Sequence, residues 1–409
     1  MPTNTTTRHH PVHRWLNFIA GFSPEFVNGV VEDAGIRDGG RLLDPFCGMA
    51  TSLVAANHLG LDAIGFEPHP FFFDVATAKV ATRRASEIDE VESILDAVVP
   101  LVDSSDVWGP DARKFLDKLV EPPALSWLAG ALLSEQHCSE PVRPLYRLVV
   151  TRVLEGAAGG KTDGIYKAPT TAKRSIDVHE MAARVIEHVR GDLQTLPGQL
   201  GESVVYNRSA EDMSAVAPGS IDLCVTSPPY LNNFDFAEMT RMELYYWRYA
   251  QSWAEITANV RSRLVINTTT APTVERRRQD HWESLVPVDL ASDLHQLRTD
   301  LRAERAARPG KKEYDTLVFP YFAQMSTVLH EVSAALKPSA PLHMVVSDAA
   351  LYGVHIHTEK YLARIMEAQG LAVKEIVRLR NRGGRWVLAK RQGSAEGLGE
   401  FHIHAVKES

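Results

Sequence analysis

Apolar positions along this chain follow two rhythms. Short runs, most of them opened by Gly, Pro, Asp or Ser, occur at 41–44, 63–66, 204–207, 221–226, 342–348, 373–379 and 401–406. Runs of this length between turn residues are the pattern of buried strands, and 401–406 alternates as a strand does. Between them the spacing is helical. Phe26, Val27, Val30 and Val31 follow Ser23-Pro24-Glu25, in which Ser caps, Pro takes the first turn and Glu meets the helix dipole. Further helices are expected at 53–59 (closed by Gly60), from Asp74 to about Val102, through most of 110–197, and at about 237–250, 321–336 and 358–369. Strands alternating with helices predict an α/β fold: a seven-stranded, mostly parallel, doubly wound sheet with helices on both faces.

The intervals divide the chain. More than a hundred residues separate the second and third strands, far beyond an ordinary connection, so 76–200 is read as a helical insertion forming its own subdomain. That leaves 1–75 as an N-terminal helix and the first half of the sheet. Residues 201–409 form the second half, interrupted by a charged stretch at 255–313 that reads as a solvated helical hairpin or lid.

Two strand ends carry chemistry. At Ile221-Asp222-Leu223-Cys224-Val225-Thr226-Ser227-Pro228-Pro229-Tyr230 a buried strand runs into two prolines, which fix φ and remove two backbone donors. Carbonyl oxygens left over there, the Ser227 hydroxyl and the flat ring of Tyr230 suit a planar molecule with an exocyclic amino group. A plain strand followed by a Pro-Pro turn has the same pattern. The second is Arg41-Leu42-Leu43-Asp44-Pro45-Phe46-Cys47-Gly48-Met49-Ala50-Thr51-Ser52, a strand and small-residue loop opening a helix, followed by the strand Ala63-Ile64-Gly65-Phe66-Glu67. This is a nucleotide-type βαβ start, with Glu67 about twenty residues beyond the loop, where an acid accepts two ribose hydroxyls.

Together the two stretches resemble the amino-group DNA methyltransferases that use S-adenosylmethionine. The loop is similar to their DPFxGxGT motif, and Thr226-Ser227-Pro228-Pro229-Tyr230 to their (S/D/N)PPY tetrapeptide. The resemblance covers roughly 15–75 and 200–408. It implies a Rossmann-like methyltransferase sheet, S-adenosylmethionine as cofactor, and methyl transfer to a base flipped out of duplex DNA, with 1–75 as the cofactor-binding half, 76–200 in the place of a target-recognition domain and 201–409 as the catalytic half. The serine form is more typical of cytosine N4 than of adenine N6. An adenine-N6 enzyme despite the serine, the same machinery acting on RNA or a small aromatic amine, and a cofactor-sensing nucleic-acid binder without catalysis are the alternatives. The implied catalytic residues are Ser227, Pro228, Pro229 and Tyr230. The implied cofactor contacts are Asp44, Pro45, Phe46, Gly48, Glu67, Thr226 and Asp212, with Glu211 in reserve, and Phe22 and Ser23 stand where the family holds the methionine end. Ala50 replaces the second loop glycine and fits if its φ stays negative. Loss of the tyrosine hydroxyl is expected to matter little. Such enzymes often have a restriction or defence partner.

Charge then locates any nucleic-acid contact. The 409 residues carry a net charge of −7, so a basic surface must be local. One basic stretch is 159–174, with Lys161, Lys167, Lys173 and Arg174; another is 374–391, which includes Arg382 and Arg385. Three scattered cysteines and no CxxC pair point to a reduced, cytoplasmic protein. No apolar run reaches membrane-spanning length. The histidine pairs 355/357 and 402/404 lack the four convergent ligands of a structural zinc site, so no metal is expected.

Overall fold

The computed structural model describes residues 6–16, 21–37, 39–162, 167–172, 174–307, 312–382 and 397–409. Seven strands form one sheet: β1 (Arg41–Asp44), β2 (Asp62–Phe66), β3 (Ser203–Tyr206), β4 (Leu223–Thr226), β5 (Pro341–Ser347), β6 (Leu371–Arg382) and β7 (Leu398–Lys407). Their spatial order is β6-β7-β5-β4-β1-β2-β3. The five strands from β5 to β3 run parallel, while β7 is antiparallel to both β5 and β6. The order reverses beside β1, and open α/β sheets take ligands in the crevice at the carboxyl ends of strands at such a switch point.

Alternate residues of each strand enter different cores. Leu42, Ala63, Leu223, Val225 and Val345 join a buried cluster on one face; Leu43, Cys224, Leu342, Met344 and Val346 join a second on the other. Both faces are covered, which is why the strands read as unbroken apolar runs.

The first face carries α1 (Pro24–Asp33), α2 (Thr51–His58), α3 (Pro70–Ala81), α4 (Ala85–Asp96), α5 (Pro110–Leu116), α6 (Pro122–Ser134), α7 (Arg143–Ala157) and α8 (Val178–Leu193). Ser23 caps α1 by accepting from the Phe26 amide, as its sequence predicts. The single helix expected from Asp74 to Val102 is two. Thr82 and Arg84 are extended, and the Glu87 carboxylate accepts from the amides of Arg83 (2.8 Å) and Arg84 (2.6 Å), starting a new helix that apolar spacing does not reveal. The helices of 76–200 share their buried cluster with β1, α1 and α2. The insertion also holds a hairpin, Gly160–Thr162 with Lys167–Ala172.

On the second face lie α9 (Val288–Ala306), α10 (Val318–Ala335) and α11 (Thr358–Ala368). The charged stretch is therefore anchored: Leu290, Leu294, Leu297 and Leu301 of α9 are buried, and Arg302 and Arg305 pair with Asp315. Among the described residues, no helix is long and apolar enough to cross a membrane.

Candidate active site

A cavity of about 410 Å³ opens at the carboxyl ends of β1, β2 and β4. Its floor is the loop after β1. Gly48 takes φ +51°, and Cys47 lies so close over β2 that a Cβ at Gly65 would sit 2.8 Å from the Cys47 sulfur. Asp44 organises the loop. Its carboxylate accepts from the Phe46 amide (3.0 Å), the Thr226 hydroxyl (2.7 Å) and the Ser52 hydroxyl, and burial lifts its pKa to about 6 against those bonds. Ala50 is not at negative φ: it is left-handed at +64° and fully buried, with its amide donating to Cys47 O at 2.7 Å. The strain this costs an L-residue, roughly 1–2 kcal/mol, is carried so that the helix can start at Thr51.

Glu67 directly follows β2 with its carboxyl buried, accepting from the His69 amide at 2.7 Å and from the Gly48 backbone; burial raises its pKa to about 8. His69 is kept neutral by burial, its pKa lowered to about 3, with a 2.9 Å contact to the Thr240 hydroxyl. Phe22 and Phe46 supply apolar wall. Lys79, on α3, also lines the cavity. Its ammonium donates to the carbonyls of His13 (3.1 Å) and Leu16 (2.8 Å), and burial lowers its pKa to about 7.

The Pro-Pro turn forms the opposite wall, with Ser227, Pro228, Pro229 and Tyr230 all lining the cavity. The Ser227 hydroxyl is 3.5 Å from the Tyr230 hydroxyl, which donates to Glu400 on β7 at 3.0 Å. Asn267 braces the turn through bonds to the carbonyls of Tyr230 (3.1 Å) and Phe234 (3.2 Å). Asn232 bends the following chain at φ +51°. Asn233 lines the cavity. Asp235 does not: it is buried in an ion pair with Arg261 at 2.9 Å and caps the short helix Phe236–Met239.

The structure thus brings Asp44, Phe46, Gly48 and Glu67 together with the Pro-Pro turn around one cavity. Pro45 and Thr226 are buried and absent from its lining, and Ser23 serves as the helix cap. Asp212 is a correction. Its carboxylate is in solvent, accepting from the Ser214 amide (3.0 Å) and pairing with Arg208 (3.1 Å), because the turn after β3 points Ser209 and Ala210 inward instead. Glu211, half-buried, accepts from Gln324 and from Ser209. Of the basic residues, Arg174 is exposed. Lys161, Lys167 and Arg382 are described in backbone alone, and Lys173 and Arg385 lie outside the described residues. Sequence reasoning missed Lys79, Leu264, Val265, Asn267, Arg380 and Glu400 as cavity residues.

Fold and site together define a Rossmann-like α/β protein with its ligand cavity at the switch point beside β1. No family model matches the sequence. The type II methyltransferase M.BsoBI of Geobacillus stearothermophilus is 21% identical over 472 aligned positions, covering 98% of this chain and 85% of that protein. M.AvaI, a type II methyltransferase of Nostoc sp. (strain PCC 7120), is 23% identical over 400 positions, covering 90% of this chain and 80% of its own. Among solved structures, a geranyl diphosphate methyltransferase with sinefungin overlaps 94% of this chain and 78% of its own, at 8% identity and TM-score 0.33. An S-adenosylmethionine-dependent methyltransferase from Methanosarcina mazei overlaps 93% and 97%, at 11% identity and TM-score 0.31. Overlaps this loose add nothing to the strand order itself.

Proposed function

We propose that this chain methylates DNA, transferring the methyl group of S-adenosylmethionine to the exocyclic N4 of cytosine. The observation that carries the reading is that the Ser227–Tyr230 turn and the Glu67 acid open into one cavity. Similarity to type II methyltransferases along nearly the whole chain supports it.

The cavity's residues fit the cofactor. Glu67 is a buried acid for ribose hydroxyls, Phe46 and Phe22 give flat apolar walls, and the Gly48 backbone is open to close approach. When bound, S-adenosylmethionine supplies an electrophilic methyl on a sulfonium sulfur. The chain's own work is on the amine. The lone pair of an aromatic amino nitrogen is delocalised into its ring and is a poor nucleophile. Ser227 Oγ and the Pro228 carbonyl accept its two N–H groups and turn the lone pair out of conjugation. Neither Pro228 nor Pro229 has an N–H to compete for those oxygens. Tyr230 stacks on the flipped base and offsets part of the few kcal/mol that flipping costs. Holding the partners aligned contributes up to ~7–11 kcal/mol to the rate. Lys161, Lys167, Lys173, Arg174, Arg382 and Arg385 are proposed to meet phosphate.

Mass spectrometry of nucleosides from cells with and without the gene tests this. N4-methylcytosine should appear only with it. N6-methyladenine in its place would overturn the base, and no methylated nucleoside in DNA would overturn the substrate.

A further inference from the structure

Glu400 is a buried acid that amine activation does not use. It lies on β7 with 4% of its surface exposed and faces the cavity. Its carboxylate holds two things at once: the Tyr230 hydroxyl at 3.0 Å, and Arg380 on β6 by a two-pronged contact, Nε at 2.7 Å and one terminal nitrogen at 3.2 Å. Arg380 also lines the cavity. It stands directly across from Glu400 because the β6–β7 ladder slips between Arg378 and Arg380, and such a bulge re-aims the side chain that follows it. The guanidinium is thereby fixed in plane, with three N–H groups that Glu400 does not take.

We infer that Arg380, clamped by Glu400, reads the ring edge of the target base and selects cytosine over adenine; this rests on the proposed amino-group methylation. Cytosine carries two adjacent acceptors, N3 and O2, beside its amino group. Adenine carries one, N1, followed by a C–H. A guanidinium edge offering parallel donors pairs fully with the first and leaves a donor unmet against the second. Because Glu400 also grips Tyr230, which lies next to the Ser227 hydroxyl, one carboxylate sets the edge reader, the stacking ring and the amine acceptor in a common register.

The test is a binding cycle in the presence of S-adenosylhomocysteine. Two duplexes contain the sequence in which N4-methylcytosine is mapped in expressing cells; one carries cytosine at the target position and the other an abasic sugar. Arg380→Met should weaken the cytosine duplex about 5- to 150-fold, the range of a good two-donor base contact, and the abasic duplex less than about threefold. Unchanged S-adenosylhomocysteine affinity reports an intact fold. Equal losses on both duplexes would make Arg380 a phosphate or structural contact and overturn the inference alone. If the native chain forms N6-methyladenine, or no site can be mapped, the proposed function itself fails and the inference falls with it.

Discussion

Glu67 enters the ligand-free state carrying a proton. Burial raises its pKa from the usual 4.5 to about 8 despite two backbone donors. A carboxylate is the better acceptor for two ribose hydroxyls, so the proposed ribose contact requires that proton to be expelled at neutral pH. At about pH 7, one unit below the free value, roughly ten in eleven molecules are protonated, and the cost is about 1.4 kcal/mol, or tenfold in affinity. Near pH 9 the cost almost vanishes. Titration calorimetry with S-adenosylmethionine should therefore show about tenfold tighter binding at pH 9 than at pH 7. The ligand's α-amino group, with a pKa near about 8, and Lys79 titrate in the same window, so the diagnostic quantity is the difference from Glu67→Gln. That variant should bind more weakly at high pH and lack the Glu67 component. The ligand-free fold responds in the opposite sense. An acid whose pKa is raised by folding contributes stability in full below about 4.5 and loses it as pH climbs through about 8. The melting temperature of Glu67→Gln should thus rise above that of the native protein as pH increases, with the gap closing in acid. Identical pH profiles for the two proteins, in binding and in melting, would refute both the buried acid and the ribose contact.

Ser227→Ala removes one of two acceptors for the amine; single-turnover methyl transfer should fall about 10²-fold or more, by analogy with losing one donor from an oxyanion hole, with cofactor affinity unchanged. Asp235→Asn breaks an ion pair whose side chains are 7% and 3% exposed, and should cost about 3–5 kcal/mol in urea denaturation.

The elements legible in the sequence are those whose signal is local. Strands buried on both faces read as apolar runs, Ser23-Pro24-Glu25 announces α1, and the two motif loops fall where the sheet reverses. What stayed hidden depends on contacts across the fold. Glu87 breaks a helix through backbone amides, which apolar spacing cannot register. Asp212 and Ser209 are three residues apart, and only the path of the turn decides which of them faces inward. Tyr230 was read for its ring face, yet its hydroxyl is tied to Glu400, a residue 170 positions away on an antiparallel strand. Arg380 was visible only as one of a run of basic residues; its pairing with Glu400 follows from a bulge. Asn267 lay inside a stretch whose charge balance spoke of solvent.

The Asp44 carboxylate joins the loop proposed to hold the cofactor to the turn proposed to hold the base. One oxygen accepts from the loop that faces Glu67 and from Thr226, the residue before Ser227; the other accepts from Ser52 in the first turn of α2. Any ligand that stiffens this loop stiffens the turn proposed to receive the base. The coupling is reciprocal: whatever factor the cofactor adds to base affinity, the base adds to cofactor affinity. Synergy of this kind favours the ternary complex over either binary one, so that a protein searching DNA without its methyl donor would grip a flipped base weakly and let it return to the helix.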